Sequence, residues 1–243
     1  MRMRVVGLAL PVVIGMTVAV TSCGSAPVTA KPAAPATPSA SGSTASGSLA
    51  ASSSPASVPA GYTRIGGAAQ GISVAAPAAW AVIDPTNEAI KNGASKLNLK
   101  GVSAATLVQD LQTMQKLHGI MVVDGKSAVD DPNHFARNLN AYCSTSGVND
   151  TGSAGVRLLR SGAAAEFQQM GATNVTQKDI VVGGVPGLET SYQLNSANIG
   201  TLYGSQLEVL PKANDACFVT LSVDASESAG SILSVAAATA QFP

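Results

Sequence analysis

Three cysteines, Cys23, Cys143 and Cys217, and two histidines, His118 and His134, are the side chains here best suited to nucleophilic or metal chemistry. The one place where such groups gather is Asp130-Asp131-Pro132-Asn133-His134, with Cys143 nine residues on. A Cys–His pair needs spatial contact and a third group to orient the base. If His134 and Cys143 share one extended strand, they stand about 30 Å apart, which leaves no dyad unless the strand bends. Asp124, Asp130, Asp131 and His134 could offer oxygen and nitrogen ligands to a metal. The plainer reading is a polar loop whose aspartates cap a turn or a helix. No catalytic residue, metal site or cofactor is expected from these residues. Gly66-Gly67 and Gly183-Gly184 lack the strand–helix setting of a phosphate loop and read as turns. Asn138 and Asn140 could hydrogen-bond a polar ligand, but a solvated sheet face is the expected setting, so the ligand-binding residues stay unknown. His118, on the apolar face of a helix, reads as a packed or rim histidine.

Cys23 has a different setting. Arg2 and Arg4 precede an apolar run from Val5 to Val20, the layout of an export signal. The run is shorter than the roughly 20 residues of a spanning helix, and Pro11 interrupts it. Val20-Thr21-Ser22-Cys23 then has the form of a bacterial lipobox, in which the cysteine sulfur is acylated and becomes the new N-terminus. Residues 1–22 are expected to be a lipoprotein signal peptide, with Cys23 as the lipidated residue. From Gly24 to Ala60 only Val28, Lys31, Leu49 and Val58 are not Ala, Ser, Thr, Gly or Pro. Such a segment cannot bury enough apolar surface to offset its ordering entropy. Residues 23–60 therefore read as a lipidated cysteine and a disordered tether, on the extracytoplasmic face of a cell membrane.

Residues 61–243 are long enough for one domain with its own core. Acidic residues slightly outnumber basic ones there, which argues against a nucleic-acid partner. Ile72 and Val74 mark a strand that Pro77 stops, and Trp80 after it reads as a core plug. Ser103 to Gly119 has helical spacing, with Leu107, Leu111 and Met114 on one face and Gly119 as terminator. Ile120–Val123 reads as a buried strand before the turn at Asp124-Gly125. From 134 to 143, Phe135, Leu139, Ala141 and Cys143 share one side, and Asn138, Asn140 and Tyr142 the other. A helix follows from Ser153 to Met170, with Val156, Leu159, Ala163, Phe167 and Met170 inward and Gly171 ending it. Four strands in meander and a last helix opened by Ser226 and Glu227 close the chain. The class is α+β, an antiparallel sheet with helices packed on it.

The order of these elements, with Ile180-Val181-Val182-Gly183-Gly184-Val185-Pro186-Gly187, Ala216-Cys217-Phe218-Val219-Thr220-Leu221-Ser222 and the Ile72-Ser73-Val74 strand before Pro77 and Trp80, resembles the PsbP-like α/β/α sandwich. Within it, the order resembles especially the actinobacterial LpqN-type lipoproteins. That resemblance implies a mostly non-catalytic module and supplies no catalytic residue. The expectation is a membrane-anchored envelope lipoprotein that binds or assembles, with an envelope protein or a glycan or lipid ligand as partner. An envelope hydrolase or carbohydrate-active enzyme is the alternative.

Export also bears on Cys143 and Cys217. With Cys23 taken by lipid they form an even pair in a disulfide-permissive setting, each on the apolar side of its strand. A Cys143–Cys217 bridge is expected. Two buried free thiols acting as small hydrophobes are the alternative.

Overall fold

The computed structural model describes residues 56–83, 111–130, 135–196, 200–224 and 229–243, the side chain of Ala128 excepted. The signal, Cys23 and most of the tether lie outside the described residues, as do Ser103, Leu107, Asp131, His134, Ser226 and Glu227.

The chain opens with β1 (Tyr62–Gly67), a 3-10 turn (Ala68–Gln70) and β2 (Ile72–Pro77), which pair as an antiparallel hairpin. Gly66 and Gly67 are the last residues of β1, not the turn expected of them; the chain reverses one step later, through Ala68 to Gly71. Gly66 is bare because it has φ +76° and a Cβ there would stand 2.4 Å from the Ile72 carbonyl oxygen. After β3 (Ala81–Ile83), residues 111–116 are helical, with Leu111 and Met114 buried. His118, not Gly119, supplies the left-handed residue that ends this helix (φ 52°). The Gly119 amide donates to the Met114 carbonyl and the His118 amide to Gln115, a Schellman ending. His118 is exposed, so it does not pack on the apolar face.

β4 (Ile120–Val123), the short α1 (Ser127–Asp130), β5 (Asn138–Thr145) and α2 (Gly152–Gln169) follow. Of the expected stripe of α2, Val156, Leu159, Ala163 and Phe167 are buried, and Met170, the residue that caps the helix, is only partly so. Gly171, at φ 74°, ends it, with the Ala172 amide donating to the Phe167 carbonyl. Then come β6 (Thr173–Val182), β7 (Val185–Ser196), β8 (Gly200–Lys212), β9 (Asp215–Val223) and α3 (Ala229–Thr239).

The main sheet runs β3-β4-β5-β9-β8-β7-β6, antiparallel throughout. The meander β6 to β9 is the expected one. The join of β9 to β5 is what closes the two halves of the chain into one sheet. One face carries Leu139, Ala141, Leu207, Val209, Val219 and Leu221, and packs against Ile72 and Val74 of β2 and Leu233 and Ala236 of α3. Trp80 is only half-buried against this core, so it is a rim residue and not a plug. The other face presents Leu188, Tyr192, Leu210 and Ala216 to the α2 stripe. Helix, sheet, and helix-with-hairpin thus form three layers, an α+β sandwich. Arg64 ties the outer layer together: its guanidinium donates to Ser73 Oγ at 3.1 Å and to the Thr239 carbonyl at the end of α3 at 2.9 Å.

Candidate functional site

A strand alternates its side chains between two faces. In β5, Asn138, Asn140 and Tyr142 therefore lie on the α2 side of the sheet, opposite Leu139 and Ala141. The register places Asn140 beside Thr220 of β9, Thr220 beside Gln206 of β8, Gln206 beside Thr190 of β7, and Thr190 beside Gln177 of β6. One row of polar residues crosses five strands. Asn138 and Ser222 pair in the next row on one side, and Glu208 lies two residues along β8 from Gln206, on the same face.

This strip is buried. Glu208 is 3% exposed, Gln206 and Thr220 1%, Ser222 2%, Asn138 3% and Asn140 8%. The solvated face expected for the two asparagines is therefore corrected. A polar face and a solvated face read alike in sequence, and here the polar face is covered.

The strip is wired internally. Thr220 Oγ1 donates to Gln206 Oε1 at 3.0 Å, and Gln206 Nε2 donates to Glu208 Oε1 at 3.1 Å. Burial pushes the Glu208 carboxyl up to about 8; the Gln206 amide pulls it down and the Glu166 carboxylate pushes it up further. Glu208 is thus mostly protonated near neutral pH and can donate as well as accept. Glu166, reaching from α2, is itself raised by burial. Tyr192 is raised by burial and then by the charge of Glu166. Its ring contacts Phe167 of α2 with centroids 4.3 Å apart. The hydroxyls of Tyr192 and Ser222 and one oxygen of Glu166 are buried and find no hydrogen-bond partner, at a cost of about 1–3 kcal/mol each. None of the strip residues named above is Lys, Arg or His. The strip is a covered polar seam with an acid and amides and no basic partner among those residues.

The sequence candidates fall elsewhere. Asp124 caps a turn: its Oδ1 accepts from the amides of Lys126 at 3.0 Å and Ser127 at 3.2 Å. Asp130 pairs with Lys126 on the surface. Both take the plain capping and pairing role, and neither is brought into a metal cluster with a partner among the described residues. Phe135 packs with Leu202 and not on the side of Leu139, because residues 135–137 precede the strand and escape its alternation. Arg137 pairs with Asp224 through Nε at 2.7 Å and Nη2 at 3.3 Å. Cys143 lies directly opposite Cys217 in the β5–β9 register, and the two form a disulfide with Cα atoms 4.0 Å apart. The free-thiol alternative falls with it, and so does a Cys143 nucleophile.

No protein-family model and no curated protein matches this sequence. Among solved structures, the Ran-binding protein Mog1p of Saccharomyces cerevisiae is similar in fold. That likeness covers 74% of this chain and 95% of that one, at 9% identity and a TM-score of 0.41.

Proposed function

We propose that the chain is a membrane-anchored lipoprotein of the cell envelope, of the PsbP-like LpqN type, acting as a non-catalytic binding or assembly module. The observation that carries this reading is the division of its three cysteines. Two are locked in one bridge across β5 and β9, and the third stands at the end of an apolar run after small residues. A disulfide suits an exported chain, and an acylated Cys23 would hold that chain at the outer face of the membrane. Two or three acyl chains suffice for firm anchoring, at about 0.8 kcal/mol per buried methylene. The tether would then carry the sandwich away from the bilayer toward an envelope protein or a glycan or lipid ligand. The non-catalytic part of the proposal rests on the folded domain, where both cysteines are oxidised and the buried acid Glu208 has an amide beside it instead of a nucleophile.

The test is fractionation and cross-linking in intact cells. Wild-type chain is expected in the membrane fraction with a reproducible cross-linked envelope partner. Cys23→Ala is expected to release the chain or leave it unprocessed. A Cys23→Ala chain that is processed and membrane-bound like wild type would overturn the anchor. Hydrolytic turnover of envelope glycans by the purified domain would overturn the non-catalytic assignment.

A further inference from the structure

The Cys143–Cys217 bridge has an acidic neighbour. Asp215 is two residues before Cys217 on β9, so its side chain leaves the same face of the sheet. A ligating atom from each of Cys143, Asp215 and Cys217 falls within 4.8 Å of the other two. Cys143 and Asp215 are half-exposed and Cys217 is buried, so water reaches the cluster at Cys143 and Asp215. The β4–β5 and β8–β9 pairings fix the strands that carry it. On the inner side, the turn at Gly71 closes over Cys143: a Cβ at residue 71 would stand 3.1 Å from its Sγ.

We propose that this cluster is an oxidation-gated metal site, silent as the disulfide and competent for Zn(II) once reduced. Two thiolates and one carboxylate make a three-ligand set, which leaves the fourth tetrahedral position to water on the exposed side. The chemistry balances with a thiol reductant. Two reductant thiols give two electrons and two protons to the bridge and leave as their own disulfide, and Cys143 and Cys217 become thiols. Zn(II) then displaces both protons to solvent as it binds. The sulfurs must part to about 3.8 Å, the spacing of two thiolates on one zinc at about 2.3 Å each. Separation of this order is also what two unbonded sulfurs require. Because the ligands come from adjacent paired strands, the zinc would replace the covalent link across β5 and β9 with a coordinate one.

The test uses the mature full-length chain, reduced anaerobically, freed of reductant and mixed with zinc sulfate. Elemental analysis after gel filtration should find about one zinc per reduced chain and none on the oxidised chain. Co(II) in place of zinc should give a sulfur-to-metal charge-transfer band. Asp215→Asn should weaken zinc binding at least about tenfold while leaving the oxidised fold unchanged by circular dichroism. The zinc-loaded reduced chain should melt higher than the zinc-free reduced chain. Zinc on the oxidised chain, no zinc on the reduced chain, or equal affinity in Asp215→Asn would each overturn the proposal. So would a reduced chain that unfolds and is not refolded by zinc.

Discussion

The ring of Tyr192 covers Gly204, its neighbour across β7 and β8. A Cβ at residue 204 would stand 2.2 Å from the ring Cζ and 2.5 Å from the hydroxyl oxygen. The bare backbone of β8 is therefore the floor on which Tyr192 rests, with Phe167 above it. Tyr192 thus lies in the row of the sheet that Gly204, Ser222 and Asn138 share, beside the row of Gln206 and Thr220.

Gly204→Ala should displace the ring and destabilise the domain by about 1–3 kcal/mol, the usual range for overpacking. Tyr192→Phe should cost almost nothing or stabilise, because it keeps the ring and removes a buried hydroxyl that has no partner. In a Tyr192→Ala background the Gly204→Ala penalty should shrink sharply. Chemical denaturation of the four chains closes the cycle. Equal penalties in both backgrounds would show that the ring is not what Gly204 accommodates.

Glu208 makes the domain lose stability as pH rises. Its folded value, about 8, is above the ordinary 4.5. Between those limits the folded state keeps a proton that the unfolded state has lost. The stability linked to Glu208 is fully present below about pH 4.5, falls as pH rises, and levels off above about pH 8, with a slope near 1.4 kcal/mol per pH unit at its steepest. Glu166 acts in the same direction, more weakly because it is less buried. Glu208→Gln keeps an oxygen to accept from Gln206 and cannot ionise. Urea midpoints at pH 6 and pH 9 should therefore converge in Glu208→Gln, and the variant should be the more stable chain at pH 9. A wild-type midpoint that is flat or rises over this range would contradict the assignment.

The bridge joins residues 74 apart in sequence. Closing a loop of that length constrains the unfolded chain by about 4 kcal/mol in the loop-entropy account. Cys143→Ala with Cys217→Ala should lower the unfolding free energy by about 2–5 kcal/mol, read from guanidinium midpoints with non-reduced wild type beside it. Two reactive thiols on the unfolded, non-reduced wild-type chain would show that the bridge does not form.

The frame of this domain was legible because its elements repeat strong local patterns. Val156, Leu159, Ala163 and Phe167 keep helical spacing, and all four are buried. Gly183-Gly184 and Gly171 occupy the left-handed turns that a side chain resists. The bridge could be anticipated because both cysteines fall on the apolar side of their strands.

The polar strip was hidden for a specific reason. Period-two alternation separates two faces of a strand but does not say whether a helix covers the polar one. Asn138 with Asn140, Gln206 with Glu208, and Thr220 with Ser222 repeat the same i, i+2 polar spacing on three strands that prove to be neighbours. The neighbours are 138 to 222 in sequence, and only the β5–β9 pairing brings them together. Gly204 inside a strand was the other sign, since a central glycine marks a close approach. The helix ending at His118 was misplaced by one residue because Gly119 is bare for a different reason. A Cβ there would meet Met114 Cε at 2.2 Å and Tyr142 Cβ at 3.2 Å.

Acylation of Cys23 is tested most directly by mass spectrometry of the mature N-terminal peptide. The chain should be extracted from membranes of the native host in detergent and digested without chemical deacylation. The account predicts that the mature chain begins at Cys23, with a mass increment of acyl chains on that residue, and that it partitions into the detergent phase. An unmodified mature N-terminus at Gly24 or any other residue, on a chain recovered from the aqueous phase, would contradict it.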